Sequence, residues 1–292
     1  MRALEQQTLP ADRFEVVIVD NASPDDTAAV IQELARSSPL CIRGLTETAR
    51  GPAATRNAGW RDARAEIVAF IDDDCVPSPD WLGSGLDAVR ADPALGVVQG
   101  CTRKPELARL TDWSLWRQIT GPTPFFEACN IFYRRRALAG TDGFDEAIGN
   151  YGEDCAAGWA VLDGGWTRGF AAGALAYHDV EERGLRYHLR TGLLECNVAR
   201  LAKRHPGFRR EAFWRPWAFR RENAAFTIAL VGLILALRWR AALLLVAPYL
   251  RLRMPPAGHP HRARFLGERV AVDAAQFVGM RVGSLRYRLA VL

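Results

Sequence analysis

Several marks of common protein classes are missing from this chain. None of its six cysteines (Cys41, Cys75, Cys101, Cys129, Cys155 and Cys196) forms a C-x-x-C pair, and they are scattered among segments that read as core. That pattern excludes a small disulfide scaffold and predicts buried free thiols in a reducing compartment. There is no internal repeat and no low-complexity tract. With 49% hydrophobic and 24% charged residues, the composition is globular and excludes disorder and collagen. No Gly-rich phosphate loop is present, which argues against a nucleotidyltransferase. The opening MRALEQQTLP is polar rather than a basic stretch followed by an apolar run, so the body is expected to face the cytosol.

What is present is unevenly charged. The 292 residues suit one large or two ordinary domains. The net charge of +5 hides a split: residues 1–199 carry −9 and residues 200–292 carry +14. An acidic front suits cation chemistry, and a basic rear suits an anionic surface.

Hydrophobic patterning predicts strands at Phe14–Asp20, Leu40–Leu45, Glu66–Ile71 and Gly96–Cys101, with helices between them ending at about Arg36, Arg64 and Ala91. Ser23-Pro24 followed by Asp25 and Asp26 reads as a helix start. This alternation predicts an α/β, Rossmann-like architecture with a mostly parallel sheet flanked by helices. Further on, Glu127–Tyr133 and Gly169–His178 read as extended, Glu153–Leu162 as a helix, and Leu185–His205 as one long helix. A domain over residues 1–205 and a basic, apolar, helical region over 206–292 follow.

In that second region, Ala224–Leu237 is fourteen residues without a charge; Arg238-Trp239-Arg240 interrupts, and Ala241–Leu250 resumes. Fourteen residues reach about 21 Å as a helix, short of a roughly 30 Å hydrocarbon core. A buried helix pair, a membrane-embedded hairpin and an interfacial helix all remain open. Arginines at 215, 220, 221, 238, 240, 251 and 253 bracket the apolar runs, which favours an anionic leaflet over nucleic acid as the partner.

Carboxylates cluster where strands are predicted to end. Asp72, Asp73 and Asp74 follow EIVAFI, and ligands of open α/β sheets bind beyond the carboxyl ends of strands. Three adjacent aspartates repel one another unless a cation neutralises them, and oxygen ligands suit Mg2+ or Mn2+. Asp20 ends another strand, where a carboxylate can accept hydrogen bonds from a nucleotide or serve a turn. Glu153 and Asp154 open a predicted helix, where acids either complement the dipole or supply a general base. His178 ends an extended run and is open to metal ligation.

These segments together resemble family 2 glycosyltransferases of the GT-A fold. VDNASPDDT, GPAATRNAGW, FIDDDCVPSPDWL, EACNIFYRRRAL and GFDEAIGNYGEDCAAGWAVLDGGW resemble, in this order, the family's second-strand, Arg-Asn, D-x-D, acceptor-side and Glu-Asp segments. The resemblance spans roughly residues 1–205. It implies that Asp20, with Asn21 beside it, reads the base of a nucleotide-diphosphate sugar and that Arg56 sits near base and phosphates. It further implies that Asp72 and Asp74 fill the D-x-D role around Mn2+ or Mg2+, with Asp73 near the ribose or sugar and His178 completing the metal shell. Asp154 would be the base that takes the acceptor's proton, and Glu153 would support it. Trp159 stands where the family often places Trp-Arg, with Ala160 in place of the Arg. The implied activity is an inverting, metal-dependent hexosyltransferase at the cytoplasmic face of the cell membrane, acting on a lipid-linked or cell-envelope glycan.

The family's usual first strand, which normally lies mid-sheet between the second and fourth, does not precede MRALEQQTLP. Its loss is expected to leave two neighbouring strands with unpaired backbone. One expectation is a native start about 25–30 residues upstream, a strand and most of a helix. The alternative is a catalytically inactive, membrane-associated binding subunit on the same fold.

Overall fold

A computed structural model describes residues 1–292, which form two units, Met1–Glu181 and Glu182–Leu292. The first unit runs α1 (Arg2–Glu5), β1 (Glu15–Asp20), α2 (Thr27–Ser37), β2 (Cys41–Thr46), α3 (Pro52–Asp62), β3 (Ile67–Ile71), β4 (Cys75–Pro77), α4 (Trp81–Ala91) and β5 (Leu95–Arg103). It continues through β6 (Ser114–Leu115), β7 (Asn130–Arg134), α5 (Arg135–Ala139), α6 (Glu153–Asp163) and β8 (Thr167–His178); the two-residue β9 (Glu181–Glu182) falls at the division between the units.

Local chemistry accounts for most of these elements. The β-branched run EVVIVD makes β1, and Pro52 opens α3 with its fixed φ. Gly152 caps α6 at a φ of 94°, a left-handed conformation that a side chain would strain, and Glu153 and Asp154 follow in the first turn.

Five strands form one sheet in the order β3-β7-β5-β8-β4. Its directions are mixed rather than mostly parallel. β5 and β8 run parallel, whereas β3–β7, β5–β7 and β4–β8 are antiparallel. The strand–helix alternation that implies parallel pairing ends at β5, and β7 is reached through a long loop instead of a helical crossover. β1 and β2 form a separate parallel pair. β1 and β3, the strands expected to flank the family's first strand, each have a ladder partner on one edge alone.

The core of the sheet is Trp81, Val89, Val98, Phe132, Ala171 and Ala174. Inside it, Trp81 Nε1 donates to Asn130 Oδ1 at 2.8 Å, and Asn130 Nδ2 donates to the carbonyls of Cys101 at 2.8 Å and Ala174 at 2.9 Å. A buried amide with all these bonds made ties β5, β7 and β8 together without an orphaned polar group. All six cysteines are free, and four of them are buried.

The second unit is helical: α7 (Leu185–Leu194), α8 (Cys196–Arg204), α9 (Pro206–Ala212), α10 (Arg221–Ala236), a 3-10 segment (Arg240–Val246), α11 (Ala247–Arg253) and α12 (Arg262–Tyr287). The division between the two units falls at Glu181/Glu182. The long helix expected over 185–205 is two helices, broken at the buried Glu195, which pairs with Arg220 at 3.1 Å. Both belong to this unit because α12 packs on them through glycines. A Cβ on Gly279 would lie 2.6 Å from the Gly192 carbonyl, and one on Gly283 would lie 2.4 Å from that of Cys196.

One side of α10 packs its Ala225, Phe226 and Ala229 with Tyr249, Val246, Leu250 and Phe277. The other side leaves Ile228, Val231, Leu233 and Ile234 exposed, and the turn beyond exposes Leu237 and Trp239. No helix is long and apolar enough to cross a membrane.

Candidate active site

Four chain segments of the first unit bring the acidic residues into two connected corners. The first corner is the tight turn Asp72–Asp74 between β3 and β4, closed by a hydrogen bond from the Cys75 N–H to the Asp72 carbonyl at 3.1 Å. Asp73 is exposed at its tip. Asp74 points to His178, the last residue of β8, with Nε2 3.6 Å from Oδ2. His178 is buried, and its Nδ1 lies 2.6 Å from the Asp179 carbonyl. A carbonyl can only accept, so Nδ1 carries the proton in that bond. Nε2 is thus the nitrogen turned toward the Asp74 carboxylate. An imidazole fixed through its other nitrogen is the usual support of a metal ligand. The donor set of Asp74 and His178 thus fits a cation such as Mn2+ or Mg2+. Burial holds the Asp74 carboxyl above its ordinary range; His178 opposes this, and Asp72 and Asp73 add to it. Asp72 stands apart from this pair, because its Oδ1 accepts from Arg56 Nη2 at 3.1 Å.

The second corner is the start of α6. Asp154 Oδ1 accepts from the Cys155 N–H at 2.8 Å, and Oδ2 accepts from the Ala128 N–H at 3.4 Å. Burial and the neighbouring Glu153 charge push the Asp154 carboxyl up to about 7, against the pull of Arg56 and the Cys155 N–H. Glu153 is itself 6% exposed and pairs with Arg56 Nη1 at 2.8 Å.

Arg56, on α3, joins the corners. Its guanidinium lies between Glu153 and Asp72 and 5.8 Å from the Phe144 ring centre. Burial alone would lower its pKa, but the charges of Asp72, Asp154 and Glu153 outweigh that and hold it above its ordinary value. Arg56, expected beside base and phosphates, is engaged with the carboxylates Asp72 and Glu153.

At the end of β1, Asp20 is buried and accepts from the Ser23 N–H at 3.0 Å. Asn21 clasps the approach to α3: Nδ2 donates to the carbonyls of Glu47 at 2.8 Å and Ala49 at 2.7 Å, and Oδ1 accepts from the Gly51 N–H at 3.0 Å. Its hydrogen-bonding groups are engaged within the protein, so it shapes the loops that border Asp20. Trp159 does likewise on α6, donating from Nε1 to the Pro124 carbonyl at 2.8 Å.

Sequence reading passed over Glu127. Its Oε2 accepts from Gln99 Nε2 and Thr123 Oγ1, both at 2.7 Å, and its charge further raises Asp154. Its position just before the strand run NIFYR was the available signal. Nearby, the Tyr133 hydroxyl is fully buried without a hydrogen-bond partner and is driven up by burial and then by the Asp154 charge.

The helix that bears Asp154 reaches this place because Gly158 lets it lie against Phe126. A Cβ there would come within 2.1 Å of Phe126 Cγ. Gly→Ala in an exposed helix stabilises by roughly 0.5–1 kcal/mol, but overpacking costs about 1–3 kcal/mol. Gly158→Ala is therefore expected to lower the melting temperature in calorimetry.

Residues 1–142 match the model of Glycosyl transferase family 2. Glycosyltransferase AglE of Haloferax volcanii is 24% identical over 210 residues, covering 68% of this chain and 68% of that protein. The pre-mycofactocin glycosyltransferase of Mycobacterium tuberculosis is 28% identical over 170 residues, covering 54% of this chain and 36% of that protein. Mannosyltransferase PcManGT from Pyrobaculum calidifontis, solved in complex with GDP-Man and Mn2+, superposes with a TM-score of 0.60 at 22% identity, covering 98% of this chain and 81% of that one. The fold is thus α/β of the GT-A type, and residues 1–142 carry the match to the glycosyl transferase family 2 model.

Proposed function

We propose that the protein transfers a sugar from a nucleotide-diphosphate sugar to a hydroxyl acceptor, with inversion at the anomeric carbon and a divalent cation held by Asp74 and His178. The observation that carries this reading is Asp154, a carboxyl poised at about 7 and tied through Arg56 to the acidic turn. A general base works best when its pKa lies near the operating pH. The printed descriptions of AglE and the pre-mycofactocin enzyme as glycosyltransferases, and of PcManGT with GDP-Man and Mn2+, support the same reading.

In this mechanism Asp154 accepts the acceptor hydroxyl's proton as its oxygen attacks the anomeric carbon. The bond from that carbon to the phosphate oxygen breaks, and the nucleoside diphosphate leaves. One displacement with one base inverts the centre. When bound, the cation neutralises charge on the departing diphosphate. Glu153 raises the basicity of Asp154, and Arg56 balances the acidic pair. Asp20 borders the nucleotide side.

The acceptor we propose is a lipid-linked or cell-envelope glycan, reached at the cytoplasmic membrane face. Leu237 at 90% and Trp239 at 62% exposed, flanked by Arg238 and Arg240, suit insertion into anionic headgroups rather than spanning. Full-length protein is expected to sediment with phosphatidylglycerol vesicles, to do so less at high salt, and to remain free of phosphatidylcholine vesicles. Equal binding to both would overturn the electrostatic part.

The activity itself is tested with purified protein, Mn2+ and a panel of nucleotide-sugars, following release of nucleoside diphosphate. Turnover of one donor, increased by a hydroxyl acceptor, is expected. Wild-type rates in Asp74→Ala and Asp154→Ala would overturn the assigned roles. Donor binding in calorimetry without turnover would favour the inactive binding subunit.

A further inference from the structure

The cation corner contains a sulfur atom that glycosyl transfer does not use. Cys75 opens β4 directly after the acidic turn and stands opposite His178 in the antiparallel β4–β8 ladder. Residues directly opposite on such strands project to the same face. Accordingly, one ligand atom from each of Asp74, Cys75 and His178 lies within 4.8 Å of the others. The Cys75 thiol donates to Asp74 Oδ1 at 3.7 Å. Behind it, Cys129 joins Cys75 in a buried cluster packed with Ile71, Ile119 and Phe170.

A site for Mg2+ or Mn2+ has no need of this atom, because hard cations take oxygen ligands. Sulfur and imidazole together select Zn2+ and its relatives. The oxygen, nitrogen and sulfur here match three protein ligands around a tetrahedral cation with the fourth position open, the pattern of catalytic rather than structural zinc sites. Packing alone explains a small buried side chain at position 75, but not its convergence with two other ligand atoms.

We propose that Cys75 Sγ is a third ligand in this corner, which therefore takes a thiophilic divalent cation of the Zn2+ class in competition with Mn2+ or Mg2+. The proposal rests on reading Asp74 and His178 as the cation-binding pair. On binding, the Cys75 thiol proton leaves to solvent and a sulfur–metal bond forms. The Asp74 carboxylate and His178 Nε2 donate lone pairs, and the open position is left for water or a phosphate oxygen. Nothing is oxidised or reduced.

The test is titration of the full-length protein with Cd2+ and with Co2+, read by absorbance. The expected result is an ultraviolet sulfur-to-cadmium charge-transfer band and the intense visible bands of tetrahedral Co2+. Both vanish in Cys75→Ser and persist in Cys129→Ser, with folding of each variant checked by circular dichroism. Cd2+ affinity in Cys75→Ser should fall by at least the roughly 10–100-fold that loss of an outer-sphere partner costs. Cd2+ binding to the wild type without a thiolate band overturns the proposal, as does a band unchanged by Cys75→Ser. The wild-type outcome does not depend on any variant folding. Failure of the underlying reading is separate: it shows as no Mn2+ binding to the wild type by electron paramagnetic resonance with nucleotide present. Mn2+ binding without a Cd2+–thiolate band refutes the role of Cys75 alone.

Discussion

Asp154→Asn is expected to lower kcat by roughly 10²–10⁴-fold, the range that a positioned general base contributes, while the donor still binds. Calorimetry with the nucleotide-sugar and a single-turnover assay separate the two effects. In the wild type, activity should rise with pH through about 7, because the base must be deprotonated and the Asp154 carboxyl is held there. Burial raises it first and the Glu153 charge second. Glu153→Gln removes the second cause and should move the acidic limb to lower pH. A limb unmoved by Glu153→Gln would show that another group controls the profile.

The same shift has a stability consequence with a definite sign. The Asp154 carboxyl is raised from 3.8 to about 7 on folding, so between those values the native state holds a proton that the unfolded state has lost. Stability therefore falls as pH rises through that window and is not recovered above it. Asp154→Asn removes the charged form. Without added metal, the variant should melt above wild type at pH 8, and the difference should fade toward pH 4. Such a cost to the fold is the trade expected of a carboxylate kept for the proposed chemistry.

Asp74→Ala should abolish stimulation by Mn2+ and reduce transfer by more than about 10–100-fold, the cost of losing even an outer-sphere partner of a metal. The variant leaves the buried His178 Nε2 with no carboxylate opposite it, so excess Mn2+ should not restore the rate. The measurement is initial rate against Mn2+ concentration, paired with Mn2+ binding by electron paramagnetic resonance. Rates and Mn2+ affinity equal to wild type would remove Asp74 from the cation site. Asp72→Ala tests the division within the acidic turn Asp72–Asp74. Asp72 pairs with Arg56, so its loss should disturb the corner at α6 as well as the acidic turn.

Much of the fold was legible because its signals are local. Trp81–Ala91 is a helix as read, and Glu153–Asp163 ends within one residue of its expected end. The runs EVVIVD and IVAFI are strands, since β-branched and aromatic residues favour a half-buried pleated surface whatever their partners. Strand direction is not local in this sense. Whether β7 lies parallel or antiparallel to β5 depends on the course of the loop before it, so the parallel expectation failed there. The break at Glu195 was hidden for a similar reason. On either side of it, α12 closes on Gly192 and Cys196 from far along the chain.

The candidate site divides along the same line. Its acids stood out by type and position: Asp20 and Asp72 at strand ends, Asp74 beyond a strand, and Glu153 and Asp154 at a helix start. The sequence by itself therefore singled out the candidate carboxylates, the family that residues 1–142 match, and the basic, apolar character of the rear. It carried no information on which atoms face one another, because side-chain partners across a ladder are set by register. Register places Cys75 opposite His178, and the packing of α6 on Phe126 brings Asp154 within reach of the Ala128 N–H. Only the tertiary structure decided that Arg56 bridges Glu153 and Asp72 and that Asp74 and His178 form a pair distinct from Asp72. The physical reason is that charge and hydropathy act through composition and local order, whereas hydrogen bonds and metal ligation depend on distances of a few ångströms between residues far apart in the chain.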